Sequence, residues 1–291
     1  MRYFITLTLN ILLSSILQGQ TLSEKIAINA CEYLDSIDNY SILQDSIQPS
    51  ITAAMAKVMM EGTMEERKQI GTIEGIRGTL KEAFDMLPSS CYNVRRLKIE
   101  DKKSQFYKRS DNQLANEHFD KGNDFMERDD YKNAIKQFKS AIKIENGFVY
   151  AIDHLAISYR RLENYKSAIK YYKKSLEIFP EGDVALLNIA VSYSFVEDDN
   201  NSIKSYKQLK FLYPDNPEGY FGLAKMLFVT EDYENALDNL FIAHRIYVDT
   251  NSDYAMDSEK LMGIMISKLT ELNKTDLIEK KAKEHNITIE N

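Results

Sequence analysis

The sequence contains few of the residues that interrupt helices. Proline occurs 5 times and glycine 11 times in 291 residues. Sheet-rich and linker-rich architectures need turns built from these residues, whereas helices need few of them. The hydrophobic content of 44% and the charged content of 28% are ordinary for a globular chain and argue against long disordered tracts. The composition therefore favours an all-α fold.

The sequence also has few features of nucleic-acid binding or catalysis. Its formal net charge is -7, whereas affinity for phosphates is built from clustered Lys and Arg. The four histidines are scattered, and there is no metal-ligand spacing, Gly-rich phosphate loop, HExxH motif or GxSxG motif. We therefore expect a non-enzymatic protein that does not bind nucleic acid and needs no cofactor or metal. The alternative is a thiol enzyme, which would require a reduced and reactive cysteine.

The first 20 residues have the pattern of a signal peptide. Arg2 is followed by a mostly apolar, uncharged run over residues 3–17 and then by small and polar residues. The run is shorter than the ~20 residues that a membrane-spanning helix needs. We therefore predict cleavage near Gly19 to Thr21, export to the periplasm or outside the cell, and no stable membrane insertion afterwards. The alternative is an uncleaved anchor.

The cysteine content agrees with export. Cys31 and Cys91 are the only cysteines, and an even number in an exported chain favours a disulfide. This bridge would close a loop of about 60 residues and stabilise the fold by roughly 4 kcal/mol on the chain-entropy model. The alternative is a pair of unrelated buried thiols.

Residues 21–94 show helical periodicity without a repeat and are predicted to form a small helical domain. An apolar pattern predicts an amphipathic helix that ends at Pro88; its members are Ile70, Ile73, Leu80, Phe84 and Leu87.

Residues 95–112 are predicted to be a basic linker or connecting helix. Its cations are Arg95, Arg96, Lys98, Lys102, Lys103, Lys108 and Arg109. Contact with nucleic acid or an anionic surface is one interpretation of this stretch, and a solvated linker or helix face is the favoured one.

A period of 34 residues runs from about residue 115 to residue 250. Small residues recur at Gly122, Ala156, Ala190 and Ala224. Later in each unit, small residues at Ala134, Ala168, Ser202 and Ala236 precede bulky ones at Phe138, Tyr172, Tyr206 and Leu240, and Pro180 and Pro214 close the second and third units. Residues 113–250 thus divide into four helix-turn-helix units, at about 115–148, 149–182, 183–216 and 217–250. Residues 251–291 are predicted to be capping helices or a degenerate repeat.

Helix-capping residues fit the same alignment. Asp130, Asn164 and Asp232 each precede a tyrosine and are predicted to cap the second helix of their units. In the third unit, Asp199 or Asn200 is expected to take this place. Asn216 before Pro217 predicts a sharp start to the fourth unit.

These columns resemble the tetratricopeptide repeat family, in which small, aromatic, alanine and proline places recur in the same order. The resemblance implies an α-solenoid whose concave face holds a protein or peptide. His118 and Lys121 depart from the family pattern in the first unit, where apolar residues are usual. Family members that bind chaperone tails grip a terminal carboxylate with Lys and Asn residues. Asn123 fits that pattern, but Phe119 and Val184 occupy places where Lys is needed, so this partner is not expected.

In such a solenoid, the first helix of each unit lines the concave face. Helical spacing places ten candidate partner contacts there: Asn123, Tyr150, Ile157, Arg160, Arg161, Val191, Phe195, Phe221, Lys225 and Phe228. Their mixture of apolar, aromatic and charged side chains suits an extended or helical peptide. Arg160 and Arg161 are interpreted as a site for a carboxylate. The alternative is that the aromatic residues pack between units and the arginines form a solvated edge.

The sequence thus predicts a protein–protein interaction scaffold that acts in the cell envelope or outside the cell. A second hypothesis is an accessory or sensor subunit of an envelope enzyme or secretion complex. In that case residues 21–94 would recognise an envelope ligand while the repeats dock the larger assembly.

Overall fold

The computed structural model describes residues 20–287, and these form 15 α-helices without a β-strand. The chain divides into two compact units, Met1–Asp101 and Lys102–Asn291. The predicted signal peptide lies outside the described residues, apart from its last position. Among the described helices, none combines the length and apolar character needed to cross a bilayer. The predicted all-α class is confirmed.

Unit 1 is a small helical bundle. Its helices are α1 (Leu22–Leu34), α2 (Tyr40–Glu61), α3 (Met64–Gln69), α4 (Ile73–Ser90) and the first part of α5 (Tyr92–Phe106). Helix α1 contacts both α2 and α4, and it buries Ile26, Ala30 and Leu34 completely. Because these residues recur at intervals of four, one face of α1 supplies the centre of the core.

The predicted disulfide is present in unit 1. It joins Cys31 in α1 to Cys91, directly after α4, with 5.3 Å between the Cα atoms. Asn93 supports the same corner, because its Nδ2 donates hydrogen bonds to the carbonyl oxygens of Leu34 and Ile37 at 2.8 and 2.7 Å. Carbonyl groups at the end of a helix have no partner within the helix, so this side chain acts as a cap. The end of α1 is thus held by a covalent bond and by hydrogen bonds.

Helix α4 differs from its sequence-based prediction. It begins at Ile73 and continues past Pro88 to Ser90. The proline is tolerated because it lies in the last turn, where the N–H of Cys91 still donates to the carbonyl of Leu87. Ile73 and Phe84, predicted to lie on the apolar face, are 73% and 54% exposed. The buried face of α4 is narrower than the apolar pattern predicted.

Unit 2 begins with the end of α5 and continues as helical pairs. The four predicted repeats are α6 (Gln113–Glu127) with α7 (Tyr131–Ile144), α8 (Val149–Arg161) with α9 (Tyr165–Ile178), α10 (Asp183–Phe195) with α11 (Asp199–Leu212), and α12 (Pro217–Val229) with α13 (Tyr233–Asp249). Helices α14 (Ala255–Glu271) and α15 (Thr275–Glu284) follow. From α6 to α13, each helix contacts the next one along the chain. This arrangement is an α-solenoid, as predicted.

The aligned columns of the repeats form the seam between helices. Ala156, Ala190 and Ala224 are fully buried in the first helices. The bulky column of the second helices is buried as well: Phe138, Tyr172, Tyr206 and Leu240. Gly122 takes the place of alanine in the first repeat because a Cβ there would lie 2.4 Å from Cε1 of Phe138. Small residues thus let the paired helices approach closely.

The predicted caps of the second helices are confirmed at Asp130, Asn164 and Asp232, whose side chains accept hydrogen bonds from backbone N–H groups three residues later. In the third repeat the prediction was wrong, because Asp198 caps α11 instead of Asp199 or Asn200. Asp198 is the residue that the 34-residue period places in this column. The aligned position therefore outweighs the local sequence in setting the start of α11.

The pair α14 and α15 closes the hydrophobic core of the fourth repeat. Met265 and Leu269 of α14 are fully buried in the same apolar cluster as Leu240 and Phe241 of α13. The opposite side of α14 leaves Ile264 exposed. Burial on one side and exposure on the other are expected of a terminal capping element.

Candidate partner-binding groove

The ten residues predicted to bind a partner, called the groove residues below, lie on α6, α8, α10 and α12. None of them is fully buried. Arg161, Phe195 and Lys225 are exposed, and Asn123, Tyr150, Ile157, Arg160, Val191, Phe221 and Phe228 are half-buried. The half-buried apolar members also pack against the hydrophobic clusters of the repeats. These side chains therefore combine packing between helices with an accessible surface.

Phe195 is the most exposed aromatic groove residue, at 59%. Its ring stacks on the ring of Tyr165 from α9, with 4.6 Å between centroids and 5° between planes. The stacking fixes the orientation of an apolar surface that faces water. An aromatic ring that is already ordered loses little conformational entropy when a partner covers it.

Three further apolar residues at the ends of the first helices are exposed and were missed by the sequence analysis. Leu162, Val196 and Val229 are 38%, 37% and 66% exposed. Each directly follows a predicted groove residue in the sequence. The signal that identifies them is therefore the position at the end of each first helix, where the chain turns towards the second helix.

The two residues of the predicted arginine pair differ in exposure. Arg160 is half-buried beside Tyr172, whereas Arg161 is exposed. Adjacent helical residues point about 100° apart, but the charges of both arginines act on Tyr131 and Tyr172. Within the described part of the chain neither arginine forms an ion pair, and Nε of Arg160 is buried without a hydrogen-bond partner. Arg160 is therefore a cation with unfilled capacity to bind an anion.

A segment that precedes the first repeat, residues 102–110, packs against the ends of repeats 2 and 3. We call it the strap. Nζ of Lys102 lies 2.5 Å from Oε1 of Glu181, and Nζ of Lys103 lies 2.6 Å from Oδ2 of Asp183. The favoured prediction was a solvated linker or helix face; these lysines lie on α5, remain partly exposed and are paired with carboxylates. The carboxylate of Glu181, in the turn before α10, and that of Asp183, the first residue of α10, neutralise them.

Both aromatic residues of the strap pack against the repeats, and Tyr107 contacts a groove residue. Phe106 stacks on Phe179, with 5.4 Å between ring centroids. Tyr107 packs against Tyr150 at 5.2 Å, and its hydroxyl donates a 2.9 Å hydrogen bond to Oδ2 of Asp153. Tyr150, predicted as a partner contact, is thus partly covered by the chain itself.

The strap continues along the first repeat. Arg109 forms two hydrogen bonds with the carboxylate of Asp120, at 2.7 and 2.9 Å. The hydroxyl of Ser110 donates to Glu145, and Asn116 exchanges hydrogen bonds with the backbone of Ser110. The strap therefore contacts three consecutive repeats before the chain enters α6.

The contact of Tyr107 places an ionisable group in the interior. Asp153 is only 1% exposed, and the hydroxyls of Tyr107 and Ser175 lie beside its carboxyl group. Burial raises the pKa of Asp153 to about 6, although the hydroxyls of Ser175 and Tyr107 oppose the shift. The charge of Asp183 raises this pKa further. The groove end at repeats 2 and 3 therefore holds three carboxyl groups, those of Asp153, Glu181 and Asp183.

Two other groups of reactive residue types have structural roles. Cys31, Asp35 and Cys91 are the one described group that brings three potential metal ligands within 4.8 Å, but the two sulfur atoms are bonded to each other. His154 stacks on Phe119, with 5.1 Å between ring centroids and 3° between planes. Burial lowers the pKa of His154 to about 4, so it is a neutral aromatic side chain near pH 7.

Comparison with known proteins agrees with the geometry of the repeats. The tetratricopeptide repeat family matches residues 149–181, which form α8, α9 and the turn that follows. No curated protein matches the sequence significantly. Among solved structures, MamA residues 41 to the end from Desulfovibrio magneticus RS-1 is 13% identical; the match covers 60% of this chain and 96% of that one, with a TM-score of 0.51.

Two further structures are similar. A MamA RS-1 double mutant has 14% identity and a TM-score of 0.51, and the match covers 61% of this chain and 97% of that one. A tetratricopeptide repeat protein from Parabacteroides merdae ATCC 43184 has 18% identity, a TM-score of 0.48 and coverages of 60% and 67%. At these identities the MamA structures show the fold alone. The match to the second repeat and the solenoid fold together support the tetratricopeptide repeat family for the repeats of this chain.

Proposed function

We propose that the repeat array is a non-catalytic scaffold that holds an extended segment of a partner protein along the groove residues. Tetratricopeptide repeat arrays are protein–protein interaction scaffolds, and this chain has that architecture. The groove residues of three consecutive first helices, α8, α10 and α12, are accessible to a partner. A surface that continues across several repeats suits an extended ligand.

The observation that carries this proposal is the ordered, exposed ring of Phe195. Stacking on Tyr165 holds the ring in place while more than half of its surface contacts water. Covering this surface with an apolar side chain of a partner would contribute about 1–2 kcal/mol. Exposed aromatic residues of this kind act as anchors in protein interfaces.

The charged groove residues support a partner segment that carries carboxylates. Arg160 and Arg161 have no ion-pair partner in the described part of the chain. Nζ of Lys225 lies over the ring of Phe221, 5.8 Å from its centroid, and the lysine side chain is exposed. An acidic residue of the partner would pair with these cations, and an apolar residue beside it would cover the aromatic groove residues.

We further propose that the protein acts in the cell envelope or outside the cell. The apolar run over residues 3–17 supports export. The disulfide between Cys31 and Cys91 supports an oxidising compartment.

A second candidate function, an accessory or sensor subunit, is favoured by a cavity in unit 1. The cavity has a volume of about 300 Å³ and is lined mainly by apolar residues of α2 and α4, including Leu43, Ile47, Phe84 and Leu87. The exposed cation Lys98 of α5 also lines it. This volume is at the lower end of the range of small-molecule sites. A small apolar ligand of unit 1 would make the protein a sensor in addition to a scaffold.

The scaffold proposal is tested by photo-crosslinking in the native cell. A photoreactive phenylalanine analogue at position 195 is expected to crosslink a discrete protein. The matched control is the same analogue at Met256, which is 60% exposed and lies on α14, outside the groove. Arg160→Gln/Arg161→Gln in the same chain is expected to reduce the crosslink at position 195 at least five-fold, because the partner then loses its charge contacts. Identical crosslinking patterns at positions 195 and 256 would contradict the proposal.

A stability control separates binding from folding. Arg160→Gln/Phe195→Ala is expected to keep the melting temperature within a few degrees of the wild-type value, because partly exposed side chains contribute little to the core. Cooperative unfolding at a much lower temperature would show that these two residues belong to the core instead of a binding surface.

A further inference from the structure

We propose that the groove end at repeats 2 and 3 is a recognition site for a basic–aromatic segment of a partner protein, and that the strap occupies this site in cis. This proposal rests on the proposed scaffold function and names the chemistry of one ligand. The strap presents two consecutive lysines and, after two further residues, two consecutive aromatic residues. The lysines pair with Glu181 and Asp183, and the aromatic rings pack against Phe179 and Tyr150. All four side chains therefore contact the repeats as a bound peptide would.

The strap leaves part of this site unfilled. Oε2 of Glu181 and Oδ1 of Asp183 are buried and accept no hydrogen bond, although the other oxygen of each carboxylate is bonded to a lysine of the strap. A lysine ammonium is a point donor, whereas an arginine guanidinium presents a fork of donors that matches both oxygens of a carboxylate. The site therefore fits an arginine-bearing segment better than the lysines that now fill it.

The contacts of the strap permit exchange. The side chains of Lys102 and Lys103 are 32% and 42% exposed, and ion pairs with this exposure contribute little to stability. Residues 107–112 adopt no regular secondary structure. Gly182 leaves room for Tyr107, since a Cβ there would lie 3.2 Å from the tyrosine hydroxyl, a tight contact. The two lysine ion pairs thus contribute little to holding the strap in this acidic, aromatic site.

The test measures binding of two synthetic peptides to the full chain by fluorescence anisotropy. One peptide has the sequence of residues 101–111, and the other carries arginine at both lysine positions. Phe106→Ala/Tyr107→Ala in the protein is expected to vacate the site and tighten binding of the first peptide at least ten-fold relative to wild type. The arginine peptide is expected to bind this variant about three-fold or more tightly than the lysine peptide. Adding Glu181→Gln/Asp183→Asn is expected to abolish binding of both.

Three results would overturn the proposal. The first is equal binding of the first peptide to wild type and to Phe106→Ala/Tyr107→Ala, and the second is binding that persists after Glu181→Gln/Asp183→Asn. The third is a dimer that the peptide dissociates, because a second copy of the chain would then be the occupant. If circular dichroism shows that Phe106→Ala/Tyr107→Ala is unfolded, Lys102→Glu/Lys103→Glu replaces it, because repulsion between the new carboxylates and those of Glu181 and Asp183 weakens the hold of the strap on the site. The same tightening of the first peptide is then expected. The peptide assay does not use the crosslink at position 195. Its failure is therefore distinguishable from failure of the scaffold proposal.

Discussion

Asp153 shows how one residue links the strap to the stability of the repeats. Its carboxyl group has an ordinary pKa of 3.8, and burial raises the pKa to about 6 in the folded protein. Between these values the native state holds a proton that the unfolded chain has released. Stability therefore falls as the pH rises from about 4 to about 6, and the full penalty is present above pH 6. The pKa of Asp153 is thus about 2 higher in the folded than in the unfolded chain, which corresponds to a loss of about 3 kcal/mol in the free energy of unfolding.

We predict that Asp153→Asn flattens this pH dependence. Asparagine has nearly the same shape, its oxygen can accept the hydrogen bond from Tyr107, and it has no charge to bury. The variant is expected to be more stable than wild type at pH 7.5 by about 1–3 kcal/mol and to differ little from it at pH 4. Urea unfolding of both proteins at these two pH values measures the change. Parallel pH profiles for the two proteins would contradict the predicted burial of the charge.

The residues of the repeat seam could be predicted from the sequence, and the coverage of Tyr150 could not. A 34-residue period identifies buried small residues such as Ala156, because the same position packs between helices in every repeat. Contacts of the strap occur once and join residues such as Tyr107 and Asp153, which are 46 positions apart. Periodicity holds no information about such a contact. For the same reason, the lysines of the strap were predicted to be solvated.

At the scale of helices and turns, each repeat has the same strained turn. The residue before the cap of the second helix has a positive φ in all four repeats: 55° at Asp129, 56° at Glu163, 58° at Glu197 and 63° at Glu231. This left-handed conformation favours glycine, because other residues place Cβ too close to the backbone. Here each turn carries an acidic residue instead. Every repeat therefore gives up some stability at the same position.

We predict that Glu163→Gly stabilises the repeat unit by about 0.5–1 kcal/mol, because it removes the conformational strain. The matched comparison is Asn251→Gly, where φ is 51°. Asparagine tolerates the left-handed region better than glutamate, so this change is expected to alter stability by no more than about 0.3 kcal/mol. Chemical denaturation of both variants provides the measurement. A loss of stability in Glu163→Gly would mean that contacts of the glutamate side chain outweigh the strain.

Element boundaries were predictable where a local signal agreed with the repeat alignment. Asn216 and Pro217 start α12 as expected, since the cap and the preset φ of proline act within one turn. Helix α4 lacks such an alignment, and its end was misplaced by two residues because Pro88 was taken as a stop. Asp198 was missed because two polar neighbours offered equally good local caps. A repeat thus supplies information that a single helix does not have.

At the scale of the whole molecule, the two units are stabilised by different means. Unit 1 has a covalent link between positions 60 residues apart. The repeats of unit 2 have no cysteine and depend on contacts between consecutive helices. In such an array each repeat is stabilised by its neighbours, so a change in one place acts mainly on adjacent repeats. Loss of the disulfide should therefore affect the units unequally.

We predict that Cys31→Ser/Cys91→Ser destabilises unit 1 by roughly 4 kcal/mol, because the unfolded chain then regains the freedom of a long loop. Hydrogen exchange measured by mass spectrometry is suited to this test, since it reports on each helix separately. Protection of α1, α2 and α4 is expected to fall, while protection of α8 to α13 stays at the wild-type level. Wild-type protein treated with a reductant is the control, because it keeps both cysteine side chains and loses only the bond. An equal loss of protection in both units would show instead that the chain unfolds as one cooperative block, so that the covalent link supports the repeats as strongly as it supports the bundle.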